Sequence, residues 1–262
     1  MTSCYRRRMQ DQHILVPAFL DAPRPKLAVL AQADWQVIQP ALSAGELQTR
    51  MSVIHNALAS AVSGAVHSGK RPVAIVGDCC ATIGMLAGLQ RAGIDPLLIW
   101  LDAHGDFNTW ETTPSGFLGG MPLAMITGRG EQTMPKAVGL KPLPDEQVVF
   151  SDGRDLDPGE VAAFAASKIA VVHDPRALLS HDFGQRPIYV HFDADIVNSA
   201  EIPAMNYPSF GGPSSSEVGA VLDHLARSGR VVAISMTAWE TELDADGTSG
   251  RVTMGLFRRL VG

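Results

Sequence analysis

The chain has 262 residues, 46% hydrophobic, 18% charged and 6% aromatic, which suits a folded α/β protein and excludes a disordered chain or a disulfide scaffold. Lys and Arg number 21 against 27 Asp and Glu, for a net charge of −6, so no basic face is forced and nucleic acid is not an expected partner. The three cysteines, Cys4, Cys79 and Cys80, are odd in number and two are adjacent, which speaks against a disulfide framework and for a reducing, cytoplasmic setting.

Arg6 to Arg8 do not begin a signal peptide, because the apolar run Ile14 to Leu20 that follows is broken by Pro17 and lacks a small-residue cleavage site. No stretch approaches the ~20 apolar residues of a membrane span, so no membrane partner is expected. Strand and helix signals then alternate. A strand is expected over His13 to Phe19, a helix over Ser43 to Ser68, a strand over Pro72 to Val76 and a helix over Thr82 to Ala92. Strands at Pro96 to Leu101 and Gln147 to Ser151 precede a helix over Pro158 to Ser167. Strands at Ile169 to Val172 and Pro187 to Phe192, a helix over Ser215 to Ser228, a strand over Val231 to Met236 and a helix over Thr248 to Leu260 complete the chain. Ser214 and Ser215 offer N-cap oxygens with Glu217 in the first turn, and Gly229 suits the end of that helix. Several strands read as continuous apolar runs, as expected when both faces are covered. The whole chain, 1–262, is therefore read as one three-layer α/β/α domain with a central, mainly parallel sheet, whose active site should lie beyond the carboxyl ends of the strands.

Two acidic clusters sit at such ends. Asp102, His104 and Asp106 follow the apolar run Pro96 to Leu101 at alternate positions, and His191, Asp193 and Asp195 do the same at the end of the run from Pro187. While the backbone stays extended, each trio points one way. Four carboxylates in one crevice repel unless several stay protonated, and bound divalent cations remove that conflict. Oxygen and imidazole donors suit manganese or a related metal, and carboxylates can bridge two ions ~3.5–4 Å apart. Solvated acidic turns are the plain alternative for one such cluster; two of them, each closing an apolar strand, point to cations.

With these motifs in place the sequence resembles the arginase (ureohydrolase) family. Gly77-Asp78-Cys79-Cys80, Asp102-Ala103-His104-Gly105-Asp106 and Asp193-Ala194-Asp195 match the family's three metal motifs in order and separation, over about Val73 to Glu240. The resemblance implies two Mn2+ ions bridged by Asp102 and Asp193, with Asp106 on the first, His104 and Asp195 on the second, and Cys79 where the family has a metal-binding histidine. It also implies that Asn108 and Ser115 hold a substrate α-carboxylate and that Asp157 and Glu160 receive the α-amino group. An amide and a hydroxyl can donate to a carboxylate, and carboxylates can accept from an ammonium. A polar turn, and a helix start with Pro158 at its first position, are structural readings of the same segments. A small guanidino substrate and a homo-oligomer, trimer or hexamer, follow by resemblance.

Departures from the family pattern narrow or complicate the reading. A thiolate at Cys79 prefers zinc, iron or copper to manganese, and three outcomes are open: a thiolate ligand, a weak or empty first site, or an inert buried thiol. The same replacement, with Gly119-Gly120-Met121, resembles a branch that hydrolyses Nω-hydroxy-arginine. His191 stands where most members have Ser or Thr, and would tune Asp193, carry protons, or simply pack at the sheet end. The family's catalytic glutamate aligns with Ala238; Glu240, two residues on, would face the same side of a continuing strand and hold the guanidinium, or else sit at the surface. Asn198-Ser199 also replaces the family's Asp-Pro, and the turn that follows reads Ala204-Met205-Asn206-Tyr207-Pro208, so a reshaped pocket wall is expected. The expected reaction is hydrolysis of a guanidino group to urea or hydroxyurea and an amine, with Asp106 orienting the nucleophile and Asp106 or His191 passing a proton to the amine. A deacetylase with one zinc ion and a degenerate, non-catalytic binding protein of this fold are the rival readings.

Overall fold

In the computed structural model, residues 10–262 are described; Cys4 and Arg6 to Arg8 lie outside them. The strands are β1 (Asp11–Val16), β2 (Ala18–Phe19), β3 (Ala22–Pro23), β4 (Gln36–Val37), β5 (Arg71–Val76), β6 (Leu97–His104), β7 (Val148–Asp155), β8 (Ala170–Val172), β9 (Ile188–Asp193) and β10 (Val231–Thr237). The helices are α1 (Pro25–Ala28), α2 (Leu47–His67), α3 (Ala81–Arg91), α4 (Pro122–Ile126), α5 (Thr133–Ala137), α6 (Pro158–Ala166), α7 (Ser215–Arg227) and α8 (Thr248–Val261).

Eight strands form one sheet in the order β4-β1-β5-β10-β9-β6-β7-β8, and every pairing in it is parallel. Alternation along each strand feeds two separate cores. Ala74, Val76, Leu98, Trp100, Tyr189 and Ala233 pack with Ile54, Leu58, Ile83 and Leu86 of α2 and α3 on one face. Val73, Ile75, Ile99, Leu101, Val190 and Ile234 pack with Val221, Leu222, Leu256 and Leu260 of α7 and α8 on the other. Covering both faces is what makes the strands read as unbroken apolar runs. The expected α/β/α layering is thus present. Among the described residues, no helix is long and apolar enough to cross a membrane.

Differences from the sequence reading have local causes. Pro17 ends β1 early, and Ala18–Phe19 instead pairs antiparallel with Ala22–Pro23 around Leu20, whose φ is +54°. The helix expected from Ser43 begins at Leu47, after an extended Glu46. β6 and β7 run past Leu101 and Ser151 to His104 and Asp155, so their acidic ends belong to the sheet. Short α4 and α5, and the edge strand β4, lack the length or periodicity to stand out in the sequence. At the start of α7 the N-cap is as expected: the Glu217 amide donates to Ser214 Oγ at 3.3 Å, and the Ser214 amide donates to Glu217 Oε2 at 2.8 Å.

Candidate active site

The carboxyl edge of β5, β6, β9 and β10 opens into a cavity of about 520 Å3. Its floor holds Cys79, Asp102, Asp106, Asp193 and Asp195, with His104 at the rim. The expectation that each acidic trio shares one strand face does not hold, because the extended backbone ends too soon. The β6 register is irregular between Asp102 and His104, and Asp106 is left-handed at φ +50°. Its carbonyl is fixed there by the Leu123 amide at 2.9 Å. β9 ends at Asp193, and a 3-10 turn over Ala194–Ile196 carries Asp195. Turns, more than strand alternation, collect the carboxylates.

The backbone aims each carboxylate. Asp102 Oδ1 accepts from the His104 amide at 2.8 Å, Asp193 Oδ1 from the Asp195 amide at 2.9 Å, and Asp195 Oδ1 from the Ala103 amide at 3.1 Å. The second oxygens face the site. Trp100 Nε1 donates to Asp102 Oδ2 at 3.0 Å, and His104 Nδ1 lies 2.7 Å from Asp195 Oδ2. Cys79 Sγ donates to Asp193 Oδ2 at 3.0 Å and lies 3.3 Å from Thr237 Oγ1. Asp78 holds this thiol's loop in place: its carboxylate takes the Leu20 amide at 2.7 Å and the Cys80 amide at 2.9 Å. Gly77 lets β2 approach, since a Cβ there would collide with the Ala18 carbonyl.

Burial sets the electrostatics. Burial, then the charge on Asp195, pushes Asp102 up to about 7. Burial with neighbouring carboxylates raises Asp106 and Asp193 well above the usual carboxylate range. Burial and the charge on Asp193 raise the Cys79 thiol. Burial opposes a charge on His104, yet its hydrogen bonds to Asp102 and Asp195 push it up to about 12. For Asp195, burial is outweighed by the His104 bond, and its carboxyl is held below its ordinary value. A floor that cannot ionise all its carboxylates by itself lacks positive charge, which divalent cations supply. The donor atoms agree with that. Cys79, Asp102, His191 and Asp193 converge in one group, and Asp102, His104 and Asp195 in a second, each within 4.8 Å. Asp102 belongs to both groups. Asp106 belongs to neither, but its Oδ2 is buried without a partner.

The other expected site residues fall into place unevenly. Asn108, Ser115, Asp157 and Glu160 all line the cavity. Glu160 is nonetheless spent on structure: Oε1 accepts from the Phe107 amide and Oε2 from the Asp157 amide, both at 2.9 Å. Gly105 makes room for it, because a Cβ there would lie 2.6 Å from that carboxylate. Asp157 is the N-cap of α6, with Pro158 at its first position, and Asp157 Oδ2 accepts from Asn108 Nδ2 at 2.8 Å. His191 does not line the cavity; it is fully buried one row beneath Asp193, against Trp100, and burial lowers its pKa to about 3. A direct proton transfer from His191 to substrate does not fit that depth. Glu240 reaches the cavity from a loop, because β10 stops at Thr237 and the assumed strand alternation ends with it. Its Oε2 accepts from Asn206 Nδ2 at 2.7 Å and lies 3.4 Å from Arg24.

Asn206 and Tyr207, in the turn expected to reshape the wall, line the cavity, whereas sequence reasoning missed Arg24, Phe19, Phe117 and Thr237, also at the cavity. Arg24 lies over the Phe19 ring at 5.0 Å, and Phe19 and Tyr207 flank Phe117. No local motif marks these positions. Thr237 alone carried a signal, as the last residue of an apolar strand.

An all-parallel three-layer sheet with carboxylates, an imidazole and a thiol converging at its carboxyl edge defines an α/β protein with a candidate centre for two neighbouring cations. The arginase family model matches residues 21–262, and the chain belongs to the arginase family. It is accordingly a hydrolase of the ureohydrolase type. It is 30% identical over 201 residues to the arginase of Eremothecium gossypii, covering 71% of this chain but only 50% of that protein. Identity to the arginase of Bacillus subtilis is 29% over 231 residues, covering 83% and 78%. Identity to the N(omega)-hydroxy-L-arginine amidinohydrolase of Streptomyces lavendulae is 25% over 243 residues, covering 92% and 82%. The crystal structure of the Bacillus cereus arginase shares the fold, with a TM-score of 0.84 at 24% identity over 97% of this chain and 98% of that one.

Proposed function

We propose that the protein hydrolyses the guanidino group of arginine or an arginine-like amino acid, Nω-hydroxy-arginine included, with two divalent cations of which manganese is one candidate. The observation that carries this reading is the membership of Asp102 in both convergent donor groups. Cys79, Asp102 and Asp193 would hold one cation, and Asp102, His104 and Asp195 the other. Bound there, the cations would acidify a water and balance the carboxylate charge.

The chain's own residues do the rest. Ser115 and Asn108, which line the cavity, would donate to a substrate carboxylate, and the Asp157 carboxylate would receive an ammonium. Asp106, with a buried unpartnered oxygen, takes a proton from the attacking water and returns it to the amine as the carbon–nitrogen bond breaks. Urea, or hydroxyurea, and a primary amine result. Cys79 and Gly119-Gly120-Met121 support a hydroxylated guanidine as one substrate. Free buried thiols at Cys79 and Cys80 support a reducing, cytoplasmic setting. By family likeness, a homo-oligomer is the expected assembly.

Urea or hydroxyurea release from arginine, Nω-hydroxy-arginine and agmatine, with manganese, zinc, cobalt or iron added, tests the reading. Asp102→Asn and Asp193→Asn should each abolish release. Full activity in both variants, or no turnover of any guanidine with any of the metals, overturns it.

A further inference from the structure

His191 is wholly buried, and its Nε2 has no hydrogen-bond partner. Leaving a buried ring nitrogen unpaired costs about 1–3 kcal/mol, so a histidine that merely fills the core is a poor account of it. The other nitrogen is anchored: Nδ1 lies 2.9 Å from Ser235 Oγ, which lies 2.6 Å from the Tyr189 hydroxyl. With Nδ1–H donating to Ser235, the lone pair sits on Nε2, the arrangement that orients a metal-binding imidazole. Trp100 fixes the ring from the side, its centroid 4.2 Å away. The parallel register explains the placement. Ser235, His191 and Trp100 form one row across β10, β9 and β6, and Thr237 and Asp193 are paired in the row above, toward the cavity. The donor atom of His191 lies within 4.8 Å of those of Cys79, Asp102 and Asp193.

We infer that His191 is itself a metal ligand, so that the cation beside Cys79 is held by Sγ, by the His191 Nε2 and by one oxygen each of Asp102 and Asp193. This rests on the cation-dependent reading above and specifies it. One sulfur, one nitrogen and two oxygens make a four-donor set of the kind that suits zinc, cobalt or iron better than manganese. The imidazole absent at position 79 is thus supplied by β9, two strands away from β5, from below instead of from the loop. Four protein donors close this shell, whereas Asp102, His104 and Asp195 provide three and leave a position open.

Zinc and cobalt titrations of the full chain against a competing chelator, with X-ray absorption of the zinc-loaded protein, test the assignment. The wild type should show sulfur coordination and two imidazoles distributed over two ions. His191→Gln should keep the sulfur signature and lose about 100-fold or more in affinity for the first ion, and Ser235→Ala, which removes the hydroxyl shared by the ring and Tyr189, should lose about 10–100-fold. A wild-type spectrum with a single imidazole, or a folded His191→Gln that binds as tightly, overturns this inference and leaves the two-cation reading standing. A wild type that binds no divalent cation overturns both.

Discussion

Groups that hold their proton in the folded chain but lose it in the unfolded one make stability fall with pH, by about 1.4 kcal/mol per proton per pH unit. In the ion-free protein Asp106 and Asp193 are such groups, raised by burial and neighbouring charge, and Asp102 is raised to about 7. Their contribution is fully present below the unfolded carboxylate value near pH 4 and is lost as pH rises through the folded values. Two buried histidines oppose this. Burial lowers His55 to about 4 and His191 to about 3, so both add stability as pH rises, but that gain is complete by about pH 6.5, where the unfolded imidazole is already neutral. Asp195, held low, adds only around or below pH 4. Above about pH 6.5 the carboxylate cluster and His104 therefore act in one direction. One proton retained from about pH 6.5 to 8.5 corresponds to about 3 kcal/mol, a large part of the 5–15 kcal/mol that a domain usually has. Cations displace those protons and should flatten the profile. Urea unfolding across this range, in chelator and in excess manganese or zinc, is the assay. A chelated protein equally stable throughout, or one that no cation stabilises, would refute the reasoning.

Gly105→Ala should expel the Glu160 carboxylate, since a Cβ would sit 2.6 Å away. Losing two backbone bonds to a charged acceptor costs about 3–6 kcal/mol, readable as a large drop in Tm; an unchanged Tm would contradict the packing. Glu160→Gln turns an amide N–H toward a backbone N–H and should cost about 1.5–3 kcal/mol of stability with a smaller effect on KM, the reverse of a substrate-binding group. Arg24→Ala removes a cation 3.4 Å from Glu240. It should lower KM for a guanidinium substrate by up to about fivefold, and Glu240→Gln should raise it by a similar factor, because the pair is partly exposed and worth at most about 1 kcal/mol. Equal KM values in both variants would place Glu240 outside substrate binding.

The sheet was legible because its strands are buried on both faces, so Leu97 to Leu101 and Ile188 to Phe192 announce themselves by composition. Their ends were not, because Asp102 and Asp155 look like loop residues yet continue the ladder. The acidic floor was legible for the same reason: carboxylates directly after apolar strands have few other uses. Depth was not. Asp193 and His191 lie on one face by alternation, but nothing local says that the second lies a full row beneath the cavity. The aromatic and cationic part of the wall at Phe19, Arg24 and Phe117 escaped detection because a two-residue strand, a helix start and a loop assemble it, each too short for periodicity.

The segments from Asn108 to Gly116 and from Asp155 to Glu160 are tied together by side-chain hydrogen bonds that also order this wall of the cavity. Asn108 gives one N–H to Asp157 and its carbonyl oxygen to Thr112 at 3.0 Å, leaving its other N–H. Asp157 Oδ2 accepts from Asn108, and the same side chain belongs to the capping box at the start of α6. Ser115 Oγ accepts from the Phe117 amide at 3.2 Å and lies 3.4 Å from Thr113 Oγ1. Glu160 is braced at both ends, since each of its oxygens takes a backbone amide. Each of these side chains is pinned by the bonds it makes, so it lines the cavity without the rotamer freedom that an unrestrained side chain would lose on binding. The cap of α6 and the loop that begins at Asn108 are therefore one construction here, and Glu160, bonded to the Phe107 and Asp157 amides, is the brace that ties them together.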